Sequence, residues 1–158
     1  MHWATTSLKA QPGNIAMLQV KALCLKNGNN PIGAIDAYTE LLRVKPSALV
    51  AYELMELQYS VQRLLECAAI GQQVLWQIHI DSNALVQYTL DGKTTMQTQL
   101  KAAIYNVYGL ALSDLKRLTD AEAAFEQALL VDKNYALAQK NLATLKELKR
   151  IFQQHDKS

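Results

Sequence analysis

The sequence predicts an all-α protein: a stack of about three helix–turn–helix units, a C-terminal capping helix, and one small β-hairpin set before the last unit. Three observations predict it. First, two segments share one pattern. Residues 30–60 carry Ala34, Tyr38, Leu41 and a turn at Pro46, and residues 118–148 carry Ala121, Phe125, Ala128 and a turn at Asp132-Lys133-Asn134. The i, i+4, i+7 spacing puts each trio on one helical face. Second, Pro12 and Pro46 stand 34 residues apart, one period of a helical repeat. Third, residues 83–101 break the helical pattern and alternate apolar with polar side chains around Asp91-Gly92.

The bulk numbers exclude several classes. The 158 residues are 50% hydrophobic and 19% charged, so the chain can build a core. A formal net charge of +2 is too small to argue for nucleic acid. There is no apolar run of about 18 residues, so no membrane insertion is expected. The opening MHWATTSLKA lacks the charged start and apolar block of a signal peptide. Cys24 and Cys67 lie inside helical patterns without Cys or His partners at ligand spacing, which predicts two buried thiols.

The elements follow in order. Asn27-Gly28-Asn29 ends one helix, and Asn30-Pro31 caps and opens the next. Thr119 with Glu122 reads as a capping box. At the C-terminus Leu142, Leu145, Leu148 and Phe152 form one apolar stripe, flanked by Lys140, Lys146, Lys149 and Arg150. Such a helix closes a stack with a solvated basic face.

These features resemble the tetratricopeptide repeat, W-x2-L-G-x2-Y…A-x3-F…P. The third unit carries the pattern through Tyr105, Tyr108, Gly109, Leu112, Ala121, Phe125 and Ala128, with Lys133 in place of Pro. The first keeps Leu18, Ala22, Leu25, Ala34, Tyr38, Leu41 and Pro46, with Lys21 departing from an apolar slot. The second is degenerate. Tyr52, Met55, Tyr59 and Ala68 fit, but Glu56 replaces Gly, Gln72 the aromatic and Ile80 the Pro, with Trp76 expected to restore part of the lost aromatic volume. The predicted organisation is a single domain: half of a preceding unit at 3–12, units at 15–48, 49–82 and 102–135, an insert at 83–101, and a cap at 136–154. A half unit at the start leads to the expectation that the chain is a fragment of a longer repeat protein.

In the insert, Val86, Tyr88 and Leu90 alternate with Gln87 and Thr89, and Asp91-Gly92 signals a hairpin. A loop of Asp91, Gly92 and Lys93 sets Tyr88 opposite Met96; a two-residue loop would pair Tyr88 with Thr95. The first register matches apolar with apolar. An isolated hairpin is marginal in water, so this one is expected to lean on the helices through Val86, Tyr88, Leu90 and Met96. Its expected role is structural, fixing the angle between units, against a flap or strand-addition edge for a ligand. The layout also resembles bacterial extracytoplasmic tetratricopeptide proteins with a hairpin before the last repeat, which implies a periplasmic or secreted setting and no mechanism.

No catalytic, metal or cofactor site is legible. His2, His79 and His155 have no ligand spacing, and HExxH, P-loop and GxSxG motifs are missing from the sequence. The resemblance implies instead a right-handed superhelix whose concave face binds protein or peptide. Its groove residues would be Gln19, Leu23 and Lys26; Val50, Glu53, Leu57 and Ser60; Ala103, Asn106, Leu110 and Ser113; then Lys140 and Thr144 on the last helix. Some members clamp a C-terminal carboxylate with matched Lys, Asn and Arg. Those slots hold Gln19, Leu23, Leu54, Ala103 and Val107 here, so a peptide or helix on an apolar strip is expected instead. The alternative is a self-associating spacer, joining copies through exposed repeat ends, with the helix at Trp3–Ala10 unpaired.

Overall fold

The computed structural model describes residues 12–157. Among them are seven helices: α1 Pro12–Asn27, α2 Pro31–Val44, α3 Ala48–Ser60, α4 Leu64–Gln77, α5 Leu100–Asp114, α6 Leu118–Val131 and α7 Ala136–Lys157. Strands β1 (Leu85–Thr89) and β2 (Thr95–Gln99) pair antiparallel between α4 and α5. Successive helices pack as antiparallel neighbours, and α3 also packs on α5, so the first helices of adjacent units meet. The half unit expected at 3–12 falls outside the described residues apart from Pro12, which opens α1.

One device closes the first helix of every unit. Asn29, Gln62 and Lys116 take positive φ (62°, 64° and 67°). After each, an amide reaches back five residues: Asn30 to the Leu25 carbonyl, Arg63 to Gln58 and Arg117 to Leu112, at 2.8, 2.8 and 2.9 Å. These are Schellman closures, which satisfy the last carbonyls of a helix. Asn30 then caps α2, its Oδ1 accepting from the Gly33 amide at 3.0 Å. The capping box expected at Thr119 does not form. Helix α6 begins at Leu118 after Arg117, without a side-chain cap, and Glu122 instead accepts from Lys149 Nζ of α7 at 2.6 Å.

These closures reveal a phase slip. Gln62 follows Asn29 by 33 residues, one short of the period, so the second unit runs one residue early. Its inward trio is Cys67, Gly71 and Val74, all buried, where the first unit has Ala34, Tyr38 and Leu41 and the third Ala121, Phe125 and Ala128. The slots assigned from sequence to Ala68, Gln72 and Glu56 therefore fall on Cys67, Gly71 and Met55. Trp76 fills no core volume, being 82% exposed. The lost aromatic is replaced from the other side. A Cβ on Gly71 would stand 2.8 Å from Met55 Cε and 2.8 Å from the Tyr108 ring, so these two side chains occupy its place. In the third unit the sizes are reversed: Gly109 lies under Phe125, whose ring a Cβ would approach to 2.7 Å.

The cysteines differ. Cys67 is buried, and desolvation pushes its thiol up to about 12. Cys24 is exposed, contrary to expectation, because it lies on α1 beside the face that carries Leu18, Ala22 and Leu25 inward. In α7, Leu142 and Leu145 are buried, while Phe152 is 41% exposed beneath the Lys116 ammonium, 5.9 Å from its ring centre.

Candidate protein-binding groove

The groove follows from the first helix of each unit. Residues three and four apart share a face, and the Schellman closures fix which residues are equivalent. Gln19, Leu23 and Lys26 of α1 correspond to Tyr52, Glu56 and Tyr59 of α3, and to Asn106, Leu110 and Ser113 of α5. The slip moves the middle set one residue back, from Glu53, Leu57 and Ser60 to Tyr52, Glu56 and Tyr59.

Two clefts lie along this face. The first, about 260 Å³, is lined by Gln19, Leu23, Lys26, Tyr38, Leu41, Leu49, Val50 and Glu53. Lys26 is ion-paired to Glu53; burial alone would lower its pKa, but the Glu53 hydrogen bond together with the negative charge of Glu53 and its neighbours outweighs that and holds the ammonium up. The second, about 300 Å³, lies between α3 and α5. Tyr52, Glu56 and Tyr59 form one side and Asn106, Val107 and Leu110 the other, with Gln87, Tyr88 and Thr89 of β1, Tyr135, and Leu137 of α7.

The hairpin is a wall of this second cleft. Its register sets Tyr88 opposite Met96, with Thr89–Thr95 as the last pair. Asp91 organises the loop: its carboxylate accepts from the Lys93 and Thr94 amides, both at 2.8 Å, and these bonds hold its pKa below the usual range. The hairpin docks where α6 passes into α7. Thr98, 2% exposed, donates to Asp132 at 2.7 Å. Gln99 donates to the Val131 carbonyl at 3.3 Å. The Tyr88 hydroxyl accepts from the Ala136 amide at 3.1 Å, and its ring meets Tyr135 edge-on at 4.9 Å. Val86, Tyr88 and Met96 are half-buried as the alternation predicts, but Leu90 faces solvent at the loop.

Inside the cleft the polar groups are tied together. Tyr52 donates to Glu56 Oε2 at 2.9 Å, and Tyr59 to Asp114 at 2.8 Å. Asn141 of α7 donates to Asn106 Oδ1 at 2.9 Å, fixing that buried amide. Glu56 stays open to solvent at the cleft, but the surrounding walls partly desolvate its carboxyl and raise its pKa; the Tyr52 bond and, more weakly, Lys26 offset part of this, and Glu53 adds to it. Desolvation likewise raises Tyr52 and Tyr135, and pushes Tyr59 up to about 12.

The residues named from sequence divide accordingly. Gln19, Leu23, Lys26, Val50 and Glu53 lie together in the first cleft, and Asn106 and Leu110 in the second. Leu57 is 9% exposed and packs with Leu41 and Leu54, and Ala103 is wholly buried, so neither presents a side chain to a partner. Ser60 bonds its own helix at the Leu57 carbonyl. Ser113 is half-buried, and Lys140 and Thr144 are exposed on α7; none of the three lines either cleft. Sequence reading missed Tyr52, Glu56, Tyr59, Tyr88, Tyr135 and Leu137. The alternation of the insert was the only signal for Tyr88, and the 33-residue slip hid the first three.

No protein-family model matches the sequence, and no curated protein does. Solved structures do match. The chain is similar to the first TPR domain of Spaghetti (RPAP3) bound to the HSP90 peptide SRMEEVD, at TM-score 0.66 and 15% identity, covering 86% of this chain and 93% of that one. It is similar to the second TPR domain of human RPAP3 in complex with the HSP70 peptide SGPTIEEVD, at TM-score 0.64 and 19% identity, over 86% and 98% of the chains. The Sgt2 TPR domain from Aspergillus fumigatus gives TM-score 0.64 at 16% identity, over 94% and 84%. The chain has the fold of a tetratricopeptide-repeat domain, a helical solenoid that carries a two-stranded insert.

Proposed function

We propose that this chain is a non-catalytic interaction scaffold that binds a peptide or helix of a protein partner along the groove formed by α1, α3 and α5. The observation that carries this reading is that two clefts lie side by side along the first helices of the units. Both use α3 as a shared wall, and both mix apolar side chains with a few polar groups, the composition that receives an extended or helical segment. Similar folds hold peptides in two of the solved structures named above. Among the described residues no cluster of three His, Cys, Asp or Glu side chains gathers, and no helix is long and apolar enough to cross a membrane.

The test uses groove residues that can be changed without filling the core. Leu23 is 52% exposed, and Leu110 is half-buried at the cleft. Leu23→Arg with Leu110→Arg should weaken capture of the partner by about tenfold or more while the thermal melt stays cooperative. Full binding by that variant would remove the groove assignment. Leu57 is unsuitable for this purpose because its burial makes an arginine there a folding defect.

A second reading has its own observation. Met17 and Val20 of α1 and Ile151 of α7 are exposed apolar side chains towards the two ends of the stack, 70%, 61% and 51% open. A self-associating spacer would join copies through such ends. Light scattering across a concentration series separates the readings, since a strict monomer at high concentration removes the second.

A further inference from the structure

We propose that the cleft walled by the hairpin receives a cationic side chain, arginine or lysine, from a peptide partner, with the Glu56 carboxylate as its counter-charge. The proposal rests on the groove reading above and names what that groove selects.

Charge carries the argument. Glu56 opens to the cleft from the centre of the tyrosine-lined side. It takes part in none of the ion pairs among the described residues, and neither does Asp114, the acceptor of Tyr59. Lys26 is already bonded to Glu53. Among the described residues, the cleft therefore presents negative charge with hydroxyls as its only direct partners. An apolar occupant would remove water from Glu56 and return nothing, which is costly for a carboxylate. An acidic occupant would meet like charge; the peptides SRMEEVD and SGPTIEEVD seen on similar folds end on such residues. A guanidinium or ammonium gains the carboxylate beside a lining that includes the rings of Tyr52, Tyr59 and Tyr88, and aromatic rings stabilise a desolvating cation.

The insert gives this position its enclosure. Without β1, the cleft would lose Gln87, Tyr88 and Thr89 and stand open between α3 and α5. Enclosure matters because a charge pair strengthens as water is excluded. The hairpin is thus part of the recognition surface as well as a brace for α7.

The test is a selection from a phage-displayed random 12-residue peptide library on the whole chain, followed by affinity measurements on the recovered sequences. Three proteins are compared: wild type, Glu56→Gln, and Leu23→Arg/Leu110→Arg. Glutamine keeps an oxygen to accept from Tyr52, so the side-chain geometry is retained while the charge goes. The expected result is a shared Arg or Lys in the recovered peptides and a loss of about tenfold in affinity with Glu56→Gln. Peptides that depend on Leu23 and Leu110 but share no basic residue, or that bind Glu56→Gln within twofold, overturn the cation site and leave the groove reading standing. Recovery of no groove-dependent peptide overturns both.

Discussion

The second and third units solve one packing problem in opposite ways. Each must bring two helices close at a point where one side chain is small and the other large. The third unit places Gly109 on its first helix and Phe125 on its second. The second unit places Met55 on its first helix and Gly71 on its second. The first unit, with Ala22 and Tyr38, follows the third. What is preserved is the summed volume at the crossing, not the identity at either slot, as expected of interiors packed to crystal density. The exchange also changes the neighbours. Phe125 is enclosed, 1% exposed, whereas Gly71 makes room for Tyr108, which reaches across from the third unit. The second unit therefore depends on the third for its own core.

Truncation should break the comparison most visibly in the third unit. Phe125→Ala leaves a cavity beside Gly109 that the rigid helices cannot close, so it should cost about 3–5 kcal/mol in chemical denaturation. The complementary change adds a methyl to each glycine. Gly109→Ala drives a Cβ into the enclosed Phe125 ring, and a cost of about 1–3 kcal/mol is expected. Gly71→Ala meets the flexible end of Met55 and the edge of the half-buried Tyr108, which borders open space. It should cost less than Gly109→Ala. Equal losses would mean that the crossing in the second unit is as rigid as in the third.

The same comparison isolates a defect. The slot that holds Leu25 and Leu112 in the flanking units holds Gln58 in the second. Gln58 is 3% exposed, and its Oε1 has no donor among the described residues. Gln58→Leu removes that buried acceptor and restores the side chain found in the other two units. Stabilisation of about 1 kcal/mol is expected from the unfolding midpoint in urea. A loss of stability instead would show that the amide has a partner that leucine cannot replace.

Much of the fold was legible because its signals are local. Repeat periodicity, the Asn30-Pro31 start and the Asp91-Gly92 hairpin each depend on residues close in sequence. The register of Tyr88 on Met96 followed from apolar matching alone. Which residues line the clefts was legible for part of the first and third units, where small and aromatic slots anchor the phase. It was misread in the second for a physical reason. With Gly and aromatic exchanged between helices, the pattern offers no anchor, and Tyr52, Met55, Tyr59 and Ala68 imitate a unit one residue out of place. A one-residue error on a helix turns the assigned face by about 100°. That error assigned Leu57 to the groove and Glu56 to the core crossing. The docking of the hairpin on Asp132, Val131 and Ala136 was not legible at all, because those contacts join residues more than thirty positions apart.

The smallest expected effect bears most on function. The walls of the second cleft raise the Glu56 pKa in the folded chain above its unfolded value, chiefly by desolvation. Between those two values the folded state binds more protons than the unfolded state, so this group makes stability fall as pH rises through that window. Below the ordinary carboxylate range both states are protonated and the contribution vanishes. Because Glu56 stays open to solvent, which screens the effect, Glu56→Gln should melt at most about 1 °C higher than wild type at neutral pH, with the gap closing as pH falls below that range. A gap that widens in acid would reverse the sign and show that Glu56 is stabilised as a carboxylate by the fold. The corresponding first-unit position holds Leu23 and the third-unit position Leu110, so the slip puts the middle unit's charge between two apolar neighbours. A bound cation would draw the Glu56 pKa back down. Affinity for a basic peptide should consequently rise with pH across the same window in which the free protein loses stability, and Glu56→Gln should flatten both profiles together.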